Sequence, residues 1–229
     1  EDLPGHPSLG QMIRRLLAHL PELKRLRISS IDCIEIDDDL KRIIAEEERL
    51  MPHLHLSLQS GDNMILKRMK RRHSRQDAVH LCNELRSLRP DIVFGADLIA
   101  GFPTETDNMF QKSLALIEDC GLTWLHVFPY SERSGTPAAK MPPIDKTIRK
   151  ARAASLRDAG AGAARNYLES RIGQIEEVLI EKSNFGRTAH FAPIHVNGDI
   201  MPGKIVVARV TGMDKSKTLQ ATAIRRDTA

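Results

Sequence analysis

Three segments of this chain share one design, in which an apolar run ends in polar and glycine-rich residues. They cover residues 53–61, 95–106 and 128–138. Each run has the length and composition of a β-strand. Because ligands bind at the carboxyl ends of the strands in parallel α/β proteins, three such ends in succession predict one edge of an open sheet or barrel that carries a binding site.

Helical patterns separate the predicted strands. Strand centres near residues 28, 56, 98 and 125 leave room between them for crossover helices and loops. Apolar residues recur at helical spacing over residues 9–20, 40–50, 81–88 and 110–117, and a long alanine- and arginine-rich helix is expected from residue 145 to about 170. The sequence therefore predicts an α/β domain with a mostly parallel sheet, whose first strand covers residues 26–30.

From residue 172 the pattern changes to short β-rich segments. They cover residues 177–181, 188–196, 204–210 and 219–224, with turn residues between them. A compact antiparallel barrel is the economical interpretation. We therefore predict two domains, residues 1–170 and 171–229. The second carries nine lysines and arginines against six acidic residues, and so most of the net charge of +4.

The overall composition favours a globular protein and a cytoplasmic location. Hydrophobic residues make up 41% of the chain, which is enough for a core. No apolar run approaches the roughly 20 residues of a membrane helix, and the first residues do not resemble a signal peptide, so no membrane partner is expected. The mildly basic charge is compatible with a polyanionic partner but is also ordinary.

Cys33, Cys82 and Cys120 are too widely spaced for any familiar metal-binding motif, and we interpret them as buried thiols. His53 and His55 alternate along one strand and share a face. With no third ligand nearby in the sequence, packing is favoured over metal binding.

Polar residues at two strand ends are candidates for ligand binding. Gln59 and Ser60 precede Gly61, where the backbone can approach a ligand, although an ordinary strand-to-helix turn has the same composition. Asp97 lies inside an apolar strand, where a carboxylate requires a partner or a cavity. A ligand's ribose or ammonium group would satisfy it, and so would a buried ion pair.

Six cations lie within nine positions, over residues 67–75. Such a run is usually a solvated helix face. Here it lies just beyond a predicted strand end on the presumed ligand side, so an RNA or a polyanionic cofactor group is the alternative partner.

On these residues the chain resembles the radical S-adenosylmethionine methylthiotransferases. The match is carried by residues 53–61 with 69–73, by 96–106 and by 126–138. Among these enzymes it is most similar to the bacterial ones that modify N6-threonylcarbamoyladenosine next to the anticodon of tRNA. Residues 171–229 resemble the small RNA-binding β-barrel, the TRAM domain, that ends these enzymes.

The resemblance implies a partial parallel (β/α) barrel of the radical-SAM type, followed by a small antiparallel β-barrel. It also implies a 4Fe–4S cluster that cleaves S-adenosylmethionine to a 5′-deoxyadenosyl radical, and methylthiolation of adenine C2. By analogy, Gln59, Ser60 and Asp97 would bind S-adenosylmethionine, and Arg133 would line the substrate side. The tRNA would lie across four cations of the small barrel, which are Lys182, Arg187, Lys204 and Arg209.

The chain departs from the family in one respect, since it contains no CxxxCxxC motif to hold the cluster. We therefore expect a carboxy-terminal fragment with four of six barrel strands, in which the ligands of the 4Fe–4S clusters are absent and which is inactive alone. Loss of the first strands would also expose the edge at residues 26–30, which offers a route to dimerisation.

Three other functions compete with this interpretation. One is a methylthiotransferase acting on isopentenyladenosine in tRNA. Another is an RNA-binding module without catalysis, which the basic small barrel would support. The third is a cluster-free lyase or aldolase that uses Asp97 and a lysine, which is disfavoured because none of the three strand ends carries a lysine.

Overall fold

A computed structural model describes residue 5 and residues 7–224. It divides into two compact units, residues 1–161 and 162–229. The boundary predicted after residue 170 lies at the end of the helix that contains residue 161. Arg225 and Arg226, which contribute to the predicted basic charge of the second domain, lie outside the described residues. No helix in the described part of the chain is long and apolar enough to cross a membrane.

The first unit is a parallel sheet with helical crossovers. In chain order its elements are α1 (Leu9–His19), β1 (Ser30–Ile31), α2 (Asp38–Glu46), β2 (His53–Gln59), α3 (Asn63–Arg68), α4 (Arg75–Leu88), β3 (Val93–Ala100), α5 (Asp107–Asp119), β4 (Leu122–Pro129) and the start of α6 (Lys146–Ser170). The strands pair in the order β1-β2-β3-β4, and every pair is parallel. The predicted α/β architecture is thus confirmed.

Alternation along β2 gives the sheet two different faces. Leu54, Leu56 and Leu58 are fully buried, whereas the residues between them, including His55 and Ser57, are partly exposed. Side chains at successive positions of a strand point to opposite faces, so one face packs in the core and the other carries polar groups. Among the helices that follow the strands, α3 begins at an Asp62 cap and α5 at a Thr106 cap.

The first strand is shorter than predicted. Leu26 forms an isolated parallel bridge with Leu50, and regular pairing begins only where Ser30 lies beside His55. The register changes by one residue between these two contacts, which interrupts the ladder. The exposed edge predicted at residues 26–30 is therefore reduced to a two-residue strand, and dimerisation through it stays a prediction.

The second unit is a closed barrel. Its strands are β5 (Ile175–Lys182), β6 (Phe185–Thr188), β7 (Pro193–Asn197), β8 (Ile205–Met213) and β9 (Leu219–Ala223), paired in the order β5-β6-β7-β9-β8. The predicted barrel is confirmed, but β7 and β9 run parallel, so it is mixed and not purely antiparallel. The segment predicted at residues 188–196 is two strands, because Phe191 adopts a left-handed backbone with φ of 70° between them.

Candidate functional site

A polar cluster lies on the exposed face of the sheet, where β2, β3 and β4 each contribute one side chain. Asp97 Oδ1 lies 2.9 Å from His55 Nε2 and 3.3 Å from His126 Nδ1. The two imidazole rings are 4.6 Å apart between centroids. The partner predicted for Asp97 is therefore a pair of histidines. Sequence reasoning missed His126, although it lies directly beside Asp97 in the parallel register.

One oxygen of the Asp97 carboxylate is left with which this cluster can bind a ligand. Within the described residues Asp97 Oδ2 makes no hydrogen bond, and the carboxylate side chain is 24% exposed. It can accept a hydrogen bond from a hydroxyl or an ammonium group. One atom from each of the three side chains lies within 4.8 Å of the others, so the same donor set also has the spacing of a divalent metal site.

Another group with that spacing, Asp32, Cys33 and His73, is a poorer metal site. Burial, together with the negative charge of Asp32, raises the pKa of the Cys33 thiol to about 12, and a metal ligand requires the thiolate. Asp32 also accepts a hydrogen bond of 2.8 Å from Arg71. This group is better explained as a structural link between β1 and the loop after α3.

Gln59 and Ser60 are adjacent in sequence but differ in environment. Gln59 pairs with Leu98, next to Asp97, and its carboxamide has no hydrogen-bond partner in the part of the chain that is described. Ser60 is only 1% exposed, and its hydroxyl accepts a hydrogen bond of 3.2 Å from the Asp62 N–H. The structure thus places the Gln59 backbone beside Leu98, one residue from Asp97, and the Ser60 hydroxyl in a buried turn.

The turn after β3 is held by a polar network around one buried carboxylate, whose Oε2 accepts the hydrogen bonds and whose Oε1 has no partner among the described residues. Glu105, which is 2% exposed, accepts hydrogen bonds from the Gly101 N–H at 2.9 Å and from Arg152 at 2.8 Å. Burial raises the pKa of the Glu105 carboxyl by more than these hydrogen bonds lower it, so the pKa lies above its ordinary value. Gly101 has a φ of 70°, and a Cβ there would lie 2.2 Å from Arg149 Cγ. Glu105 therefore supports the turn and is not available to a ligand.

Three non-glycine residues near these strand ends adopt left-handed backbone conformations. They are Gln59, Lys70 and Thr104, with φ of 66°, 57° and 70°. Such conformations cost on the order of 1 kcal/mol each and concentrate at functional sites. Thr104 also accepts a hydrogen bond of 2.5 Å from Arg68, which joins the end of α3 to the loop after β3.

A cavity of about 520 Å³ lies beside this edge. Its walls come from the ends of β3 and β4, the end of α3 and the loop after β4, and include Ile99, Phe102, Phe128, Tyr130 and Arg133. Phe128 is 51% exposed, and Phe102 meets the Tyr130 ring edge-to-face at 5.3 Å. The Tyr130 hydroxyl is buried and has no hydrogen-bond partner among the described residues. The predicted substrate-side residue Arg133 is therefore a wall of this cavity.

The charged groups of the cavity are all cations. Arg68, Lys70 and Arg133 line it, and its described lining residues include no carboxylate. The other arginines of the basic run are paired with acids, Arg71 with Asp32, Arg72 with Glu35 and Arg75 with Asp119. Apart from the exposed Lys67, the run is therefore divided between structural ion pairs and one side of the cavity.

The four cations predicted on the small barrel fall into two groups. Lys182, Arg187 and Lys204 lie near the carboxyl end of β5, since Lys182 pairs with Phe185 and the Lys204 carbonyl accepts from the Ile180 N–H. Arg209 pairs with Ile175 at the opposite end of β5.

Aromatic rings lie close to two of these cations. The Arg187 guanidinium is 4.4 Å from the centroid of the Phe191 ring, and Lys182 Nζ is 5.4 Å from that of Phe185. A separate cavity of about 360 Å³ is lined by Lys182, Ser183, Phe185 and His195. Cations next to aromatic faces are the chemistry that binds single-stranded nucleic acid.

The three cysteines do not fit an iron–sulfur cluster. All are free thiols, and Cys82 and Cys120 are completely buried. A hydrogen bond with Cys120 and desolvation raise the pKa of the Cys82 thiol far above its ordinary value. Cluster ligands must be thiolates, so burial of this kind opposes that role. The prediction of buried thiols is confirmed.

Comparison with known proteins gives one family and a set of homologous enzymes. The Radical SAM superfamily matches residues 3–117. Over 93% of the chain, 51% of residues are identical to the threonylcarbamoyladenosine tRNA methylthiotransferase of Rickettsia prowazekii (strain Madrid E), 51% of which is covered. Identity to the tRNA-2-methylthio-N(6)-dimethylallyladenosine synthase of Neorickettsia sennetsu (strain ATCC VR-367 / Miyayama) is 35%, over 94% of the chain and 46% of that protein.

These relatives are longer, and the chain spans about half their length. Among solved structures, coproporphyrinogen III oxidase from Escherichia coli, a radical SAM enzyme, superposes with a TM-score of 0.54 at 16% identity. That similarity covers 96% of the chain and 57% of the oxidase, and it concerns the fold alone.

Proposed function

The chain belongs to the radical SAM superfamily and is a homologue of the tRNA methylthiotransferases, and from this premise we propose that it forms the substrate-binding part of such an enzyme. The proposed reaction adds a methylthio group to C2 of N6-threonylcarbamoyladenosine next to the anticodon. The observation that carries the proposal is the cavity beside the strand ends, which combines exposed aromatic surface with hydrogen-bonding groups. A modified purine nucleoside needs both.

The proposal places S-adenosylmethionine near Gln59 and Asp97. In this superfamily the cofactor supplies a 5′-deoxyadenosyl radical. Asp97 Oδ2 would accept a hydrogen bond from its ribose or ammonium group, while His55 and His126 hold the carboxylate in place. Gln59 offers both a donor and an acceptor on the next strand. The Ser60 hydroxyl supports the turn instead, so its proposed contribution is limited to positioning Gln59.

The small barrel would bind the tRNA backbone. Lys182, Arg187 and Lys204 offer three cations near one end of β5, and Phe185 and Phe191 supply rings beside two of them. Phosphate contacts by lysine and arginine give affinity and orientation without reading sequence. Arg209, at the other end of β5, would extend that contact. The same surface is what favours the second candidate, an RNA-binding module without catalysis.

Activity is tested by restoring the half of the enzyme that the relatives possess and this sequence does not show. A hybrid joins this chain to the amino-terminal half of the Rickettsia prowazekii relative, in a bacterium that lacks its own enzyme. Digested tRNA is analysed by liquid chromatography and mass spectrometry for 2-methylthio nucleosides. We expect the 2-methylthio derivative of N6-threonylcarbamoyladenosine with the hybrid and none with residues 1–229 alone.

Variants of the hybrid assign the residues. Asp97→Asn should reduce product by at least about a hundredfold, since its carboxylate is proposed to position the cofactor at the reacting centre. Asp91→Asn, an exposed aspartate just before β3, is the matched control and should leave product unchanged. A hybrid that makes no methylthio product, where the whole relative does so in the same cells, contradicts the proposed catalysis and leaves the RNA-binding module. A tRNA substrate also implies a cytoplasmic location.

A further inference from the structure

We infer that Lys70 and Arg133 bind a carboxylate on the N6 substituent of the nucleoside, and so determine which modified adenosine the cavity accepts. The inference rests on the proposed function. It assigns to this cavity an anionic substituent such as threonylcarbamoyl and disfavours an apolar one such as dimethylallyl, the two groups that distinguish the homologous enzymes by name.

Lys70 is held in position by the end of α3. Its N–H donates to the Lys67 carbonyl at 3.0 Å, and the next N–H, that of Arg71, donates to Leu66 at 2.9 Å. This pattern ends a helix with one left-handed residue, a position where glycine is strongly preferred. A lysine there costs stability relative to glycine, and its side chain lines the cavity. The cost is understandable if the ammonium group has a partner in the bound state.

The charges of the cavity favour an anion that enters it. Lys70 and Arg133 make no ion pair or side-chain hydrogen bond within the described residues, whereas Arg68 already donates to Thr104. Glu132 lies next to Arg133 in sequence but is not among the residues that line the cavity. A carboxylate between Lys70 and Arg133 would form charge-assisted hydrogen bonds with both.

An apolar substituent at N6 would weaken binding in this cavity. It would displace water from the two cations without replacing those hydrogen bonds, and a site built for a polar group rejects the analogue that lacks it. The purine would lie against Phe128, and the buried Tyr130 hydroxyl would gain a partner from the urea or the base. The same cavity thus serves the base with its aromatic wall and the substituent with its cations.

The test uses this chain and three anticodon hairpins that differ only at N6 of one adenosine, which carries threonylcarbamoyl, dimethylallyl or hydrogen. Fluorescence anisotropy gives each dissociation constant, and the ratio between the first two hairpins is the readout. We expect the parent to prefer the threonylcarbamoyl hairpin. Lys70→Gln and Arg133→Gln should each lower that ratio about tenfold, or about 1.4 kcal/mol, while Lys70→Arg retains most of it.

Lys67→Gln is the matched control, because Lys67 lies on the same helix, is exposed and does not line the cavity. It should leave the ratio unchanged. If Lys70→Gln weakens all three hairpins equally, Lys70 contacts phosphate and the inference is wrong. Equal affinities of the parent for the modified hairpins, including no measurable binding, also overturn it. Product formation by the hybrid is independent of these results, so the inference can fail while the proposed function stands.

Discussion

The loops that follow β2 and β3 and the cavity beside them differ in how their charged side chains are paired. In the loops, Glu105 is bonded to Arg152, and Asp62 to Lys112 at 2.8 Å. In the cavity, the exposed side chains of Lys70 and Arg133 make no ion pair with described residues, and the buried Tyr130 hydroxyl has no partner among them. A buried polar group normally finds a partner within the protein, so the Tyr130 hydroxyl is the group of the cavity that most needs one from a ligand. We therefore assign the ion-paired carboxylates to stability and the unpaired groups of the cavity to ligand binding.

The largest effect is expected from breaking the buried ion pair of the loop after β3. Arg152→Met removes both hydrogen bonds to Glu105 and leaves its carboxyl buried without a cation. Breaking a buried pair from one side costs about 3–5 kcal/mol. We expect a loss of that size in the free energy of urea-induced unfolding. Lys150→Met, an exposed position on the same helix, is the control, and an equal loss in both variants would contradict the assignment.

A smaller, pH-dependent effect is expected at Asp62, the cap of α3. Burial opposes ionisation, but hydrogen bonds from Lys112 and from the Ile65 and Met64 N–H groups hold the pKa of this carboxyl below its ordinary 3.8. Its stabilising contribution is therefore present above pH 3.8 and lost as the pH falls through the folded-state value. Asp62→Ala should cost about 1–2 kcal/mol at pH 7.

That difference between Asp62→Ala and the parent should shrink as acid unfolding curves are measured below pH 3.8. Asp158→Ala, an exposed aspartate within α6, should show no such trend. A destabilisation by Asp62→Ala that persists unchanged at pH 2.5, on the order of one unit below the ordinary carboxyl pKa, would mean that the carboxylate charge plays no part.

The smallest effect is expected at Tyr130, where the substitution should stabilise the protein and at the same time weaken binding. Tyr130→Phe removes a buried hydroxyl that has no partner, so unfolding should become more costly by up to about 1 kcal/mol, while affinity for the threonylcarbamoyl hairpin falls about fivefold. Tyr167→Phe, the only other tyrosine, should leave hairpin affinity unchanged. If Tyr130→Phe destabilises the protein and binds the hairpin normally, the Tyr130 hydroxyl contributes to stability and not to ligand binding.

The sequence predicted the architecture well because periodicity reports it directly. Leucines alternating along β2 and polar residues at three strand ends located the sheet and the edge that carries the candidate site. The short first strand was not predictable, since a one-residue change of register depends on how residue 26 meets residue 50. The parallel pairing of β7 and β9 in the small barrel was not predictable either, because strand composition does not encode the direction of pairing.

The site was predicted less completely, because burial and pairing are decided by tertiary contacts. Ser60 matches a ligand-binding turn in composition, yet contact with Ser113, distant in sequence, buries its hydroxyl. The basic run could not be divided in advance, since the acids that pair with Arg72 and Arg75 are 37 and 44 residues away. That Lys70 has no acidic partner among the described residues could be determined only from the folded structure.

The most direct test is a crystal structure of this chain with the nucleoside N6-threonylcarbamoyladenosine. We expect the purine against Phe128 in the cavity, with the carboxylate within hydrogen-bond distance of Lys70 or Arg133. A nucleoside bound at another surface, or one whose carboxylate points away from both cations into solvent, would contradict it.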